Sequence, residues 1–262
     1  MALLVSAASR QVAGSGAGST MDEPEAASVG AFFALRATPP QDGGRRALAC
    51  LYAGEAAPLT SRIDTVAERL GTSERRVAAS VAQLGLAARL WSTALGPAAL
   101  SGRFPDLRAQ TLHWDPHRQA PEDLWTESAE LLPGTAARIR AVVQYGHLEP
   151  LAAAVRRDTA VSSRLLWGNA GSALAGAVRQ LIGWARTHGR PDVAARTRTL
   201  AAELFDHPDL RDTGTPHGPG FRRRNCCLYY RGPGGGLCGD CVFDSAPGTL
   251  ARPREGRRPG SV

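Results

Sequence analysis

The chain of 262 residues carries 31 Lys+Arg against 24 Asp+Glu, a net charge of +7, and is 43% hydrophobic. It contains no lysine, so every basic residue is arginine, which excludes Schiff-base catalysis, a Walker-type phosphate loop and a kinase-type lysine. The apolar fraction is enough for a packed core in one or two domains, and an Ala-, Gly- and Arg-rich composition is what GC-rich coding produces, so the modest positive excess does not on its own indicate nucleic acid.

Residues 1–28 are small and polar without periodicity and are expected to be a disordered leader, with Met21 as an alternative start. The opening MALLVSAASR lacks a basic n-region and makes a poor signal peptide. No apolar run reaches the roughly 20 residues of a spanning helix, so the expected compartment is cytoplasmic. Pro and Gly mark 37–46 as a loop. A helix is expected from Thr60 or Ser61, through Ile63, Val66, Ala67 and Leu70, to Gly71. Ser73 should cap a second, with Val77, Val81 and Leu84 on one face, reaching about Leu86; 86–102 should form another after a break. This helix, turn and helix, with Arg75 and Arg76 leading the second, has the outline of a DNA-reading motif. Apolar sequence running straight on and the lack of a dimerisation module weigh against it.

Gln110–Asp115 is the best strand candidate. His113 and His117 have the spacing of a helical metal pair, but Pro116 between them opposes a helix. Gly134–Arg156 reads as one or two helices, with Pro150 at a new N-terminus. From Val161, the positions Leu166, Ala170, Ala173, Leu174, Ala177, Val178, Leu181, Ile182 and Ala185 form one apolar face of a long buried helix. Gly168, Ser172 and Gly176 make a small-residue ridge on it that permits close approach of a helix or a ligand. Trp167 and Asn169 lie on the same helix, and Asn169 needs a hydrogen-bond partner if buried: a structural cap or an interhelical bond, with contact to a ligand as the alternative. Pro191–Leu204 gives a further helix; from His207 Gly, Pro and Arg dominate. The expected fold class is mainly α: a helical domain with a minor β element and an irregular C-terminal cluster-binding segment. The expected division is a leader at 1–28, a helical domain at 29–206, a cysteine segment at 207–245 and a disordered tail at 246–262.

Four of the five cysteines fall between Cys226 and Cys241, while Cys50 stands alone and reads as a buried small hydrophobe. Disulfide frameworks spread their bridges, whereas a tight cluster points to a metal or iron-sulfur site. Cys226 and Cys227 are adjacent; ten residues later comes Cys238-x2-Cys241. Four such thiolates suit a 2Fe-2S cluster or zinc. Paired zinc ligands favour two intervening residues, and two iron centres spread the ligand directions, which favours 2Fe-2S; zinc and free or disulfide-linked cysteines stay as alternatives. A vicinal disulfide would be strained, since neighbouring Cα atoms lie about 3.8 Å apart against the usual ~4.4–6.8 Å. Gly239 is expected to let the backbone turn beneath a metal. PGGG (233–236) has neither lysine nor a following helix and is no phosphate loop. Arg222, Arg223, Arg224 and Arg231 flank the cysteines; they would stabilise a reduced cluster or dock an acidic protein or an anionic ligand, with a solvated basic tail as the plain alternative.

The segment CCLYYRGPGGGLCGDC resembles the ferric-siderophore reductases of the FhuF-like family, and RRVAASVAQLGLAARLW (75–91) with LLWGNAGSALAGAVRQL (165–181) extends the resemblance over residues 30–245. The resemblance implies that Cys226, Cys227, Cys238 and Cys241 bind a 2Fe-2S cluster that passes an electron to Fe(III) held by a siderophore, typically a hydroxamate. No catalytic residue beyond the cluster is implied. There is no dinucleotide or flavin fingerprint, so the expected electron donor is a separate ferredoxin or flavoprotein. Nucleic acid is not expected, and peripheral association with a membrane is compatible with this reading. The competing readings are a non-catalytic iron-sulfur electron-transfer protein and a helix-turn-helix iron-sulfur sensor.

Overall fold

The structure is a computed structural model and describes residues 23–38, 46–217 and 220–247. Met21, most of the expected leader and most of the expected tail lie outside the described residues. The leader's last residues do have structure: Glu23–Val29 form a helix, α1, whose Ala26 and Val29 are buried in the core. Next come α2 (Leu48–Ala53), α3 (Ala57–Leu70) and α4 (Arg75–Ser101). α3 starts ahead of the expected Thr60 or Ser61, with Pro58 in its first turn, where a missing N–H costs nothing. It ends at Gly71 in the left-handed conformation. Glu74, rather than Ser73, precedes α4 as its N-cap.

The break expected near Leu86 does not occur, and α4 runs unbroken for 27 residues. Leu86, Ala87, Ala88, Leu90, Trp91, Ala94 and Leu95 are all buried, so packing outweighs the modest helix penalty of the glycines within it. Gly96 has a packing reason of its own, because a Cβ there would stand 2.6 Å from Cδ1 of Phe33.

Two short antiparallel ladders follow: β1 (Arg103–Pro105) with β4 (Leu131–Pro133), and β2 (Leu112–Trp114) with β3 (Leu124–Thr126). The strand expected within Gln110–Asp115 is β2. The stretch expected as one or two helices is α5 (Ala136–Ile139), π-helical turns over Arg140–Leu148 and α6 (Glu149–Asp158), with Pro150 in the first turn of α6. Then come α7 (Ser163–Thr187), α8 (Pro191–Phe205) and the short α9 (Pro208–Arg211). The segment beyond His207 is more ordered than its composition suggested: β5 (Gly214–His217) and β6 (Gly220–Arg223) form a hairpin, and Tyr229–Arg231 a 3-10 turn. The fold is mainly α, with 57% of the described residues helical.

α4 and α7 are the central pair, joined along their length by apolar contacts and by Trp91 Nε1, which donates to Ala170 O at 3.1 Å. α3 and α8 flank the pair. A buried arginine is anchored next to α1: Arg89 of α4 pairs with Asp123 at 2.8 Å and donates to the carbonyls of Ala31 and Phe32. No helix among the described residues is long and apolar enough to cross a membrane.

Candidate functional site

The cysteine segment is seated on the α4–α7 pair at the positions where that pair has small side chains. A Cβ on Gly168 would lie 2.0 Å from Asn225 Oδ1, and one on Gly171 would lie 2.1 Å from Thr213 Oγ1. Ser172, the next small residue, donates through Oγ to Asp240 at 2.6 Å; Arg179 of the same helix donates to the other oxygen of Asp240 at 3.0 Å. The ridge read from the sequence at Gly168 and Ser172 therefore admits the cysteine segment rather than a further helix.

Across the groove, Ser80 of α4 donates to the Cys227 carbonyl at 2.7 Å. Asn169 of α7 ties the two helices together, donating to Ser80 O at 2.9 Å and to Gln83 Oε1 at 3.0 Å, and accepts at 2.6 Å from Arg223 Nη2. The interhelical role expected for Asn169 is present, with Arg223 as an added partner. Arg231 forms a paired hydrogen bond with Glu74 at the start of α4, which holds the Glu74 carboxyl below the usual carboxylate range.

None of the four clustered cysteines is in a disulfide; Cys227 is buried, and Cys226, Cys238 and Cys241 are half-buried. Each sulfur accepts a backbone N–H from the residue two positions ahead. Leu228 N donates to Cys226 Sγ at 3.2 Å and Phe243 N to Cys241 Sγ at 3.4 Å. Tyr229 N–H serves Cys227 and Asp240 N–H serves Cys238 in the same way. Donors placed this way favour thiolate over thiol and tune a metal centre's potential.

The turn at Cys226–Leu228 has a backbone cost. Leu228 adopts φ 68°, the left-handed region, and no other non-glycine residue among those described has a positive φ. Its side chain packs against the core, which holds this conformation in place. The second turn closes through Cys241 N donating to Cys238 O at 3.1 Å.

Gly239 is not in the left-handed region and a Cβ on it would meet nothing, so the turn does not need glycine there. The glycine constrained between the cysteine pairs is Gly235, where a Cβ would lie 2.1 Å from Tyr229 O.

The sulfurs are close enough to perturb one another. Cys238 donates to Cys227, which holds the Cys227 thiol down at about 6, helped by Arg223 and the Tyr229 N–H, and pushes Cys238 up. Burial raises Cys226, which also feels Cys227 and Cys241. No three His, Cys, Asp or Glu side chains among the described residues converge closely enough to hold a single metal ion. Four thiols in one turn-rich segment, drawn together in neighbouring pairs rather than around one point, fit a two-centre cluster better than one small ion.

Residues 223–243 match the family model of the FhuF 2Fe-2S C-terminal domain. This segment is similar to the FhuF-type 2Fe-2S domain. The FhuF-like resemblance read from the cysteines is borne out, and the cofactor is a 2Fe-2S cluster. The match covers a narrower stretch than residues 30–245. No curated protein and no solved structure matches the chain.

The other residues singled out in the sequence divide clearly around the FhuF-type domain. Arg222 pairs with Asp244 at 2.8 Å, Arg224 with Asp212 at 2.6 Å and Arg231 with Glu74 at 2.8 Å, so three of the four flanking cations are already compensated. Arg223 is buried and has no carboxylate partner among the described residues. His113 is on β2, stacked on Trp125 at 5.3 Å between ring centroids, and faces Glu127; His117 is in the following loop, its N–H bonded to Asp115. They make no metal pair.

Cys50 is half-buried rather than buried, beside a small cavity lined by Leu48, Pro58 and Trp114. Trp167 is partly buried against the core. The helix that would have read DNA is α4, whose Val77, Ala78, Ala79 and Ser80 are buried and whose Arg75 pairs with Asp158 and Asp64, leaving no face for a groove. Sequence reasoning did not single out Ser80, Gly171, Leu228 or Asp240. Only the Asp in CGDC carried a local signal, by its position between two ligand candidates.

Proposed function

We propose that Cys226, Cys227, Cys238 and Cys241 are the ligands of the 2Fe-2S cluster and that the protein reduces ferric siderophores, of hydroxamate type by the family resemblance, releasing Fe(II) in the cytoplasm. The observation that carries this reading is the matching backbone N–H donation to all four sulfurs within the stretch that matches the FhuF 2Fe-2S domain. The bound cluster supplies single electrons at low potential. The chain holds the ligands on the α4–α7 groove, keeps Cys227 away from water and leaves Cys238 and Cys241 half-exposed, a side from which an electron can reach a docked substrate.

Siderophore oxygens are hard and anionic and hold Fe(III) far better than Fe(II), so one electron per ferric ion loosens the complex. The electron comes from a separate ferredoxin or flavoprotein. Two measurements test the proposal. Protein reduced anaerobically should be reoxidised by ferric hydroxamate with one Fe(II) trapped per electron; a reduced cluster inert to every ferric siderophore would leave an electron-transfer protein instead. Analysis should find iron and acid-labile sulfide in equal amounts; stoichiometric zinc without sulfide would overturn the ligand assignment.

A further inference from the structure

Two arginines are buried among the described residues, Arg89 at 1% and Arg223 at 2% exposure. Each retains one nitrogen without a partner, Nη2 of Arg89 and Nη1 of Arg223. What separates them is charge. Arg89 is neutralised by Asp123. Arg223 is bonded only to neutral acceptors: Nε to Asn225 O at 3.1 Å, and Nη2 to Asn169 Oδ1 at 2.6 Å and Asn225 Oδ1 at 3.2 Å. The nearest candidate carboxylate, Asp240, is taken by Ser172 and Arg179 and meets Arg223 only through backbone, Arg223 N to Asp240 O at 3.0 Å. Burying a cation without an anion is strongly unfavourable, so this position calls for a negative charge that the described residues do not provide. Arg223 lies within electrostatic reach of Cys226, Cys227 and Cys238.

We propose that Arg223 is the fixed counter-cation of the 2Fe-2S cluster and sets its reduction potential, with Nη1 as a donor to a cluster or cysteine sulfur. Two ferric ions, two sulfides and four thiolates sum to two negative charges; one added electron makes three. A buried cation stabilises the more negative state and raises the potential. The exposed arginines 222, 224 and 231 contribute little, because each is paired with a carboxylate and screened by water.

The inference rests on the cluster and its cysteine ligands, not on siderophore reduction, and its readout needs no substrate. Full-length, cluster-loaded protein is compared with Arg223→Gln, Arg223→Lys and, as a surface control, Arg224→Gln, following cluster absorbance against applied potential together with iron and sulfide content. Arg223→Gln should raise the oxidised-to-reduced ratio at fixed potential about tenfold, a shift of 59 mV to more negative potential for one electron. Arg223→Lys, which keeps the charge, should shift less, and Arg224→Gln least. Failure of Arg223→Gln to retain iron and sulfide while Arg223→Lys retains both supports the same conclusion. An unchanged potential in Arg223→Gln overturns it. So does an equal effect of Gln and Lys, which would assign the role to the bonds with Asn169 and Asn225 rather than to the charge.

Discussion

The helical scaffold and the cysteine segment are held together by different means. In the scaffold, Leu90, Trp91, Leu95, Leu166, Leu174 and Leu181 are fully enclosed, and burial at roughly 25 cal/mol per Å² of apolar surface supplies the stability. Among the described residues between 214 and 247 the buried apolar side chains are Phe221 and Cys227. That segment is held by hydrogen bonds to Ser80, Asn169 and Ser172 and by glycine-sized gaps in α7. A region with so little core of its own depends on its cofactor and on its seat, while the scaffold depends on neither.

The sharpest test of that difference removes a ligand candidate. Cys227→Ala should abolish the cluster, seen as loss of iron and sulfide, while far-UV circular dichroism of the helices stays unchanged; loss of helicity would show that the scaffold leans on the segment after all. The reverse experiment attacks the scaffold. Asp123→Ala strands Arg89 as an unpaired buried charge, and removing one partner of such a pair costs about 3–5 kcal/mol, read by denaturant unfolding of the helices.

Acid should also act on the scaffold. His147 is fully buried in the π-helical turns, accepts from Tyr52 Oη at 2.9 Å and donates to Leu107 O, and burial holds its pKa at about 4. The unfolded chain takes up the proton near 6.5 and the folded chain only near 4. Stability is therefore full above 6.5, falls as the pH drops from 6.5 towards 4 and levels off below, a loss on the order of 3 kcal/mol. His147→Gln should flatten that part of the profile, measured by urea unfolding across the range.

The smallest expected effect concerns the seat itself. Gly168→Ala places a methyl against Asn225; overpacking of this kind costs about 1–3 kcal/mol. Amide exchange should quicken in the cysteine segment and stay slow in α4.

The parts legible in the sequence were those with local signals. The four cysteines, the long apolar face of α7 and the isolated Asn169 each announced themselves through spacing or through a polar atom in an apolar run. α4 was not legible as one helix because a break was expected near Leu86, whereas burial along its whole length keeps it continuous and Gly96 makes room for Phe33, far away in sequence. The four flanking arginines looked alike as a string. Their division into three compensated cations and one buried, uncompensated one depends on Asp212, Asp244, Glu74 and Asn169, which only the tertiary fold brings near. The left-handed Leu228 had no signal, since its conformation is imposed by what its side chain packs against.

The donors to the four sulfurs belong to the main chain, and that makes the site unusually forgiving. Leucine, tyrosine, aspartate and phenylalanine occupy the donor positions here, yet any residue other than proline brings the same N–H. Substitution at 229 or 243 can thus reshape the surface a partner meets without dismantling the hydrogen bonds beneath it, whereas Leu228 and Asp240 are tied to the scaffold by their side chains. Such a domain can change what it docks with while its electron-carrying centre stays chemically the same.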